Sequence, residues 1–183
     1  MVLNRTYVRY NSGVEGYGEL HCHSNFSFLD GASDPEQLVK VACELGLSSL
    51  AITDHNGLYA VPRFASAAKL CGLPAVYGSE LTLGSGAPRS KQIDPDGDHL
   101  VVLAKGPSGY RSLSRAISHG QMANKEKGSF DLDYQSLASF DSGEWAILTG
   151  CRKSAVNRAL FESGPIEARK RLAFLCDLFG REL

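Results

Sequence analysis

From residue 17 onward the chain alternates apolar runs with helical patterns, and that alternation limits the folds open to it more than any other feature. "GELHCH" reads as a short strand. Ser33 and Glu36 bracket Pro35 as a capping box that opens a helix through about Leu45, and Gly46 stops it. "SSLAIT" (48–53) is a buried strand, and "GLYAVPRFASAAKLCG" (57–72) is helical, closed by Gly72 and Pro74. "PAVYGSELTL" (74–83) is the next strand, residues 84–97 are a turn-rich connector, and "DHLVVLAK" (98–105) is a strand followed by a helix from Pro107 to about Met122. Beyond the polar loop "ANKEKGS", "LDYQSLASF" reads as a short helix, "EWAILTG" (144–150) as a strand, and "KSAVNRALFE" and "PIEARKRLAFLCDLFG" as two helices. Alternation of this kind predicts a parallel α/β architecture, open or barrel.

A chain of 183 residues is one domain, or a piece of a larger one, with enough length to bury a core. Hydrophobic residues make up 43% and no apolar run approaches a membrane span, while the N-terminus lacks the apolar core of a signal peptide, so a cytoplasmic location is expected. The formal net charge of −1 withholds the basic footprint of a module that grips nucleic acid by its phosphates. Any DNA contact is therefore local or supplied by other parts of a larger protein. Cys22, Cys43, Cys71, Cys151 and Cys176 are odd in number and widely spaced, with no C-x-x-C, which argues for a reducing compartment and against a disulfide framework.

Side chains that do chemistry in parallel α/β folds sit just beyond the carboxyl ends of strands. His21 and His23 end the first strand, Asp54 and His55 the second, Glu80 the third, and Cys151 follows the last. All are possible metal ligands. Residues two apart on a strand face the same way, so both imidazoles of His21-Cys22-His23 can reach one ion while Cys22 points into packing. An H-x-H alone also fits a pair of exposed or hydrogen-bonded histidines, and Asp54 alone also fits a cap for the helix near Gly57. Repetition at successive strand ends is harder to explain by capping. Nitrogen and carboxylate ligands suit zinc, manganese or iron. His99 stands at the start of its strand, the wrong end for that rule, unless 74–83 and 98–105 pair as an antiparallel hairpin that brings Glu80 and His99 together. Otherwise it merely initiates the strand after "DPDGD", itself read as a turn. Asp30, in "FLDGAS", is equally common turn chemistry. His119 and the basic residues at 152, 153, 169, 170 and 171 read as solvated surface.

Together "ELHCHSNFSFLDGAS", "LGLSSLAITDHNGLYAVPRFASAAKLCGLPAVYGSELTL", "HLVVLAKGPSGYRSLSRAIS" and "AILTGCRKSAV" resemble consecutive blocks of the PHP (polymerase and histidinol phosphatase) domain at the N-terminus of bacterial C-family DNA polymerases. The wording "FSFLDGAS" and "GSELTL" is most similar to the error-prone polymerase III alpha-type enzymes of damage-tolerant synthesis. The resemblance covers about Tyr17 to Leu183, leaving 1–16 as an N-terminal extension. It implies a distorted (β/α)7 barrel with a cluster of up to three divalent ions at one mouth. The implied ligands are His21, His23, Asp30, His55, Glu80, His99 and Cys151, with Asp54 as a ligand or a support. Family members place a final Asp-x-His pair after a late strand, and this chain has none, stopping at "LFGREL". A C-terminally truncated barrel is therefore expected, with no polymerase palm, fingers or thumb.

The resemblance implies a metal-dependent phosphoesterase site, in the polymerase setting a 3′–5′ exonuclease used in proofreading. Two other readings stand beside it: an inactive brace for the polymerase, and a stand-alone phosphatase of a small phosphoester such as histidinol phosphate. The implied partners are polymerase domains of the same parent chain, and DNA through them, with no membrane.

Overall fold

A computed structural model describes residues 16–84, 97–123 and 129–180. The expected extension at 1–16, the connector at 84–97, the "DPDGD" turn, the "ANKEKGS" loop and the final residues lie wholly or largely outside them. Five strands form one sheet in sequence order: β1 (Gly18–Glu19), β2 (Ser49–Ile52), β3 (Ala75–Leu83), β4 (Asp98–Ala104) and β5 (Trp145–Leu148). The helices are α1 (Pro35–Glu44), α2 (Val61–Cys71), α3 (Pro107–Met122), α4 (Tyr134–Ser139), α5 (Ala155–Ser163) and α6 (Pro165–Phe179). The sheet curls as a half-barrel.

Strands β1, β2 and β3 are parallel, and β4 runs antiparallel to both β3 and β5, so the hairpin of 74–83 with 98–105 is present and only the wholly parallel form of the α/β reading is modified. The antiparallel register of β3 on β4 sets Thr82 opposite His99 and Glu80 opposite Val101. Two reversals return β5 to the direction of β1–β3. The carboxyl ends of four strands and the amino end of β4 therefore open on the same mouth.

Strand alternation divides the sheet into two faces. Leu81, Leu83, Leu100, Val102, Trp145 and Ile147 pack outward with Leu113, Ile117, Leu137 and Leu175 of the helices. Leu50 and Ile52 join Val39, Phe64 and Ala68 under α1 and α2. Ala51, Val101 and Leu103 line the concave side.

Local signals place the elements with small shifts. Helix α1 is capped by Asp34, not Ser33: the Asp34 N–H donates to Gln37 Oε1 at 3.1 Å, so the reciprocal contact lies one residue later than expected. Helix α2 starts only at Val61, because residues 57–60 are irregular and end in a turn. Strand β1 ends at Glu19, before either of its histidines. Cys43 of α1 and Cys71 of α2 are joined as a single disulfide with Cα atoms 6.9 Å apart, a pair that the reading against a disulfide framework did not foresee; Cys22, Cys151 and Cys176 are free. The packing of α1 on α2 brings together two positions 28 apart in sequence, a proximity that spacing alone does not reveal. Among the described residues no helix is long and apolar enough to cross a membrane.

Candidate metal centre

The site is built around Glu80, buried on the concave side of β3. Its backbone is held from β2's loop: the Glu80 N–H donates to Thr53 and Asp54 carbonyls, and its own carbonyl accepts from Asn56 N. Four imidazoles surround the carboxylate. His21 Nε2 and His23 Nε2 stand 3.2 and 3.0 Å from Oε2, His55 Nδ1 stands 3.5 Å from it, and His99 Nδ1 is 3.3 Å from Oε1.

The four imidazoles arrive by three routes. His99 pairs with Thr82 in the antiparallel register, which puts it on Glu80's face of the sheet. His55 follows β2 and bridges to Glu80 through the backbone. His21 and His23 lie past the end of β1, so strand alternation alone does not orient them. The extension is fixed by buried Glu19, whose Oε1 accepts from His21 N at 3.0 Å, and by Thr53, whose Oγ1 accepts from Cys22 N at 3.0 Å. The two Nε2 atoms end 3.1 Å apart.

Asp30 closes the opposite side, its Oδ2 at 2.9 Å from His23 Nδ1 and 3.2 Å from His55 Nε2. Cys151 lies at the rim after β5, with Sγ 3.8 Å from His99 Nδ1 and accepting from Lys153 N at 3.4 Å. Three overlapping groups emerge, His21/His23/Glu80, His23/Asp30/His55 and His55/Glu80/His99, each with ligand atoms within 4.8 Å of one another. Asp54 and Cys151 belong to none of the three.

Asp54 has other work. Its carboxylate accepts from Ser24 N at 2.8 Å, Ser24 Oγ at 2.8 Å and Ser27 Oγ at 2.7 Å, pinning the loop that carries Asp30. Ser27 Oγ in turn accepts from His55 N at 3.1 Å. Sequence reasoning missed Ser24, Ser27, Glu19 and Asn56. The signal available for the two serines was their S-x-x-S spacing within one turn; buried Asn56, at φ 48°, was hidden by looking like ordinary loop chemistry although its Oδ1 accepts from Thr82 N at 2.8 Å. His119 is exposed against Phe140 and belongs to none of the three ligand groups.

The electrostatics favour a cation. Burial alone would push the Glu80 carboxyl up, yet the imidazoles of His21, His23 and His99 hold it far below the usual carboxylate range. Burial opposes charge on His23, but Glu80 and Asp30 raise it; burial and the neighbouring His23 lower His55. Among the described residues, His55 Nδ1 and Glu80 Oε1 are buried and make no hydrogen bond. Such orphaned atoms are rare unless something else satisfies them, and an N/O donor set of this kind suits a divalent ion. Cys22 does not belong to that set: burial first, then Glu19 and Asp54, push its thiol up to about 12, and it packs toward the helix layer.

The chain is a mixed α/β half-barrel with overlapping His/Asp/Glu groups at its mouth that could hold a metal ion. The PHP domain family model matches residues 19–183, and the chain belongs to that family. It is 50% identical over 180 residues to an error-prone DNA polymerase of Cutibacterium acnes, covering 97% of this chain and 16% of that protein. An error-prone DNA polymerase of Mycobacterium tuberculosis is 52% identical over 163 residues, covering 89% and 15%. The chain thus spans less than a fifth of the length of these curated relatives. Among solved structures, a protein described as a metal-dependent phosphoesterase from Bifidobacterium adolescentis aligns with TM-score 0.44 and 28% identity over 60% of this chain and 35% of that one. An amidohydrolase from Chromobacterium violaceum aligns with TM-score 0.40 and 19% identity over 85% and 54%.

Proposed function

We propose that this PHP domain is a divalent-metal phosphoesterase whose ions are held by His21, His23, Asp30, His55, Glu80 and His99, with Cys151 at the rim and Asp54 as positioning residue. The supporting observation is that His23, His55 and Glu80 each belong to two of the three ligand groups, so neighbouring ions would share ligands. Such ions supply a water of lowered pKa and offset the charge of a phosphate. Glu80 gathers the imidazoles and keeps its own charge. Asp54, through Ser24 and Ser27, holds the Asp30 loop against His23 and His55. Zinc, manganese and iron all suit the donors, and up to three ions fit the overlap.

Likeness to error-prone polymerases supports a particular substrate, the 3′-terminal nucleotide of a DNA strand, removed as a 3′–5′ exonuclease during damage-tolerant synthesis. Residues 17–183 would then form the PHP unit and 1–16 an extension. The partners are polymerase domains of a longer parent chain, which bring the DNA, and the setting is the cytoplasm. A second reading has the domain as an inactive brace. It is favoured by the way Glu80 already ties together segments after β1 and β2 with β4. Elemental analysis, followed by release of a 3′ nucleotide with and without chelator, separates them. The phosphoesterase predicts chelator-sensitive release that the His21→Ala/His23→Ala variant lacks; the brace predicts no release even with added manganese or zinc.

A further inference from the structure

The loop between His23 and Asp30 is turned inside out. Its polar side chains Ser24 and Ser27 are fully buried on Asp54, whereas Phe28 and Leu29 are 76% and 68% exposed. Leu29 holds φ 67°, a left-handed backbone that a branched side chain rarely adopts. Strain of that kind persists where the surroundings impose it and clusters at ligand sites. Here the Asp30 and Gly31 N–H groups both donate to the Ser27 carbonyl, at 3.0 and 2.9 Å, so the tip is fixed.

Tyr59 stands on the neighbouring segment, 62% exposed, with its ring folded back so closely over Gly57 that an added Cβ there would lie 2.3 Å from Cε2. That segment carries His55, whose Nε2 meets Asp30 Oδ2 at 3.2 Å. The exposed apolar groups thus stand on two segments that meet through Asp54 and His55, and the ligand histidines and Asp30 beside them are themselves partly open, His21, His23 and Asp30 being 19%, 13% and 48% exposed. Neither residues 24–31 nor 54–60 contain Lys or Arg. What these two segments offer to a group extending beyond a phosphate is therefore apolar contact.

We propose that Phe28, Leu29 and Tyr59 form a lip that stacks the nucleobase of the nucleotide being released, so that the site prefers base-bearing phosphoesters to sugar or polyol phosphates. This rests on the phosphoesterase reading. Base–aromatic stacking is tolerant of base identity, as an exonuclease needs, and its usual strength corresponds to about tenfold or more in affinity.

The test has two arms. With manganese, terminal release is compared between a single-stranded oligonucleotide ending in thymidine and the same strand with the terminal base replaced by hydrogen. The lip predicts about tenfold lower kcat/KM for the baseless end, and loss of that difference in Phe28→Ala/Tyr59→Ala. Equal rates in the unaltered protein, or a difference that survives the double substitution, overturn it. The second arm needs no turnover: in Phe28→Trp, thymidine 5′-monophosphate should quench the new indole and deoxyribose 5-phosphate should not. Quenching without hydrolysis of either strand upholds the lip while refuting the phosphoesterase. No quenching, as when the lip instead faces another protein surface, refutes the lip.

Discussion

Glu80 and His99 face each other across the antiparallel pair β3–β4, with His99 Nδ1 3.3 Å from Glu80 Oε1 and both side chains 2% exposed. The contact exists because β4 runs against β3, so that the start of one strand meets the far end of the other. Three further histidines converge on the same carboxylate, and Glu80 is therefore the group whose loss the site should tolerate least.

Glu80→Gln keeps the shape and removes the charge. It leaves the imidazoles without the buried anion that gathers them, and disruption of such networks costs about 2–4 kcal/mol. Urea unfolding of the metal-free protein should show a lower midpoint at an unchanged slope. An unchanged midpoint would mean that the carboxylate does not organise the cluster.

Asp54→Ala removes the acceptor for Ser24 N, Ser24 Oγ and Ser27 Oγ. Hydrogen bonds to a charged group are worth about 1.5–3 kcal/mol each and are not additive within one network, so a loss of about 3 kcal/mol is expected. Metal affinity should fall with it, because the Asp30 loop loses its anchor. Titration of the folded variant with manganese checks this; wild-type affinity would show that the loop holds Asp30 unaided.

Gly31→Ala tests the loop from the other side. A Cβ at this position would lie 2.0 Å from the Ser24 carbonyl oxygen and 2.5 Å from its carbon, both backbone atoms that cannot swing away. The loop must shift, and Asp30 with it. The expected result is weakened metal binding and a lowered melting temperature; wild-type values for both would contradict the packing described.

Arg63→Ala serves as a contrast. Arg63 donates to both Glu36 oxygens at 2.7 Å and holds that carboxyl below its usual range, but the pair is open to solvent and screened. Its removal should leave the melting temperature and the metal affinity unchanged. A large drop would reveal a role for the α1–α2 face that its exposure does not suggest.

Much of this was legible in the sequence because it follows from period and topology. The runs at 74–83 and 98–105 read as a hairpin, and that one inference explains why His99, apparently at the wrong strand end, stands beside Glu80. Other features depend on tertiary contacts that have no local signature. Asp54 directly precedes His55 and looks as much like a ligand as its neighbour, and only the fold shows its carboxylate consumed by Ser24 and Ser27. The Cys43–Cys71 pair needs two helices to meet. The antiparallel pairing of β5 with β4 likewise has no local signature, since α3 and α4 intervene between them.

The central claim is that the side chains gathered on Glu80 bind divalent ions. Metal stoichiometry by elemental analysis, after dialysis of the protein against zinc or manganese and removal of free ion, tests it most directly. The account predicts bound metal in the unaltered protein and its loss in His21→Ala/His23→Ala, with the helical content of the variant retained. A protein that stays metal-free, or a variant that binds as much metal as its parent, would contradict it.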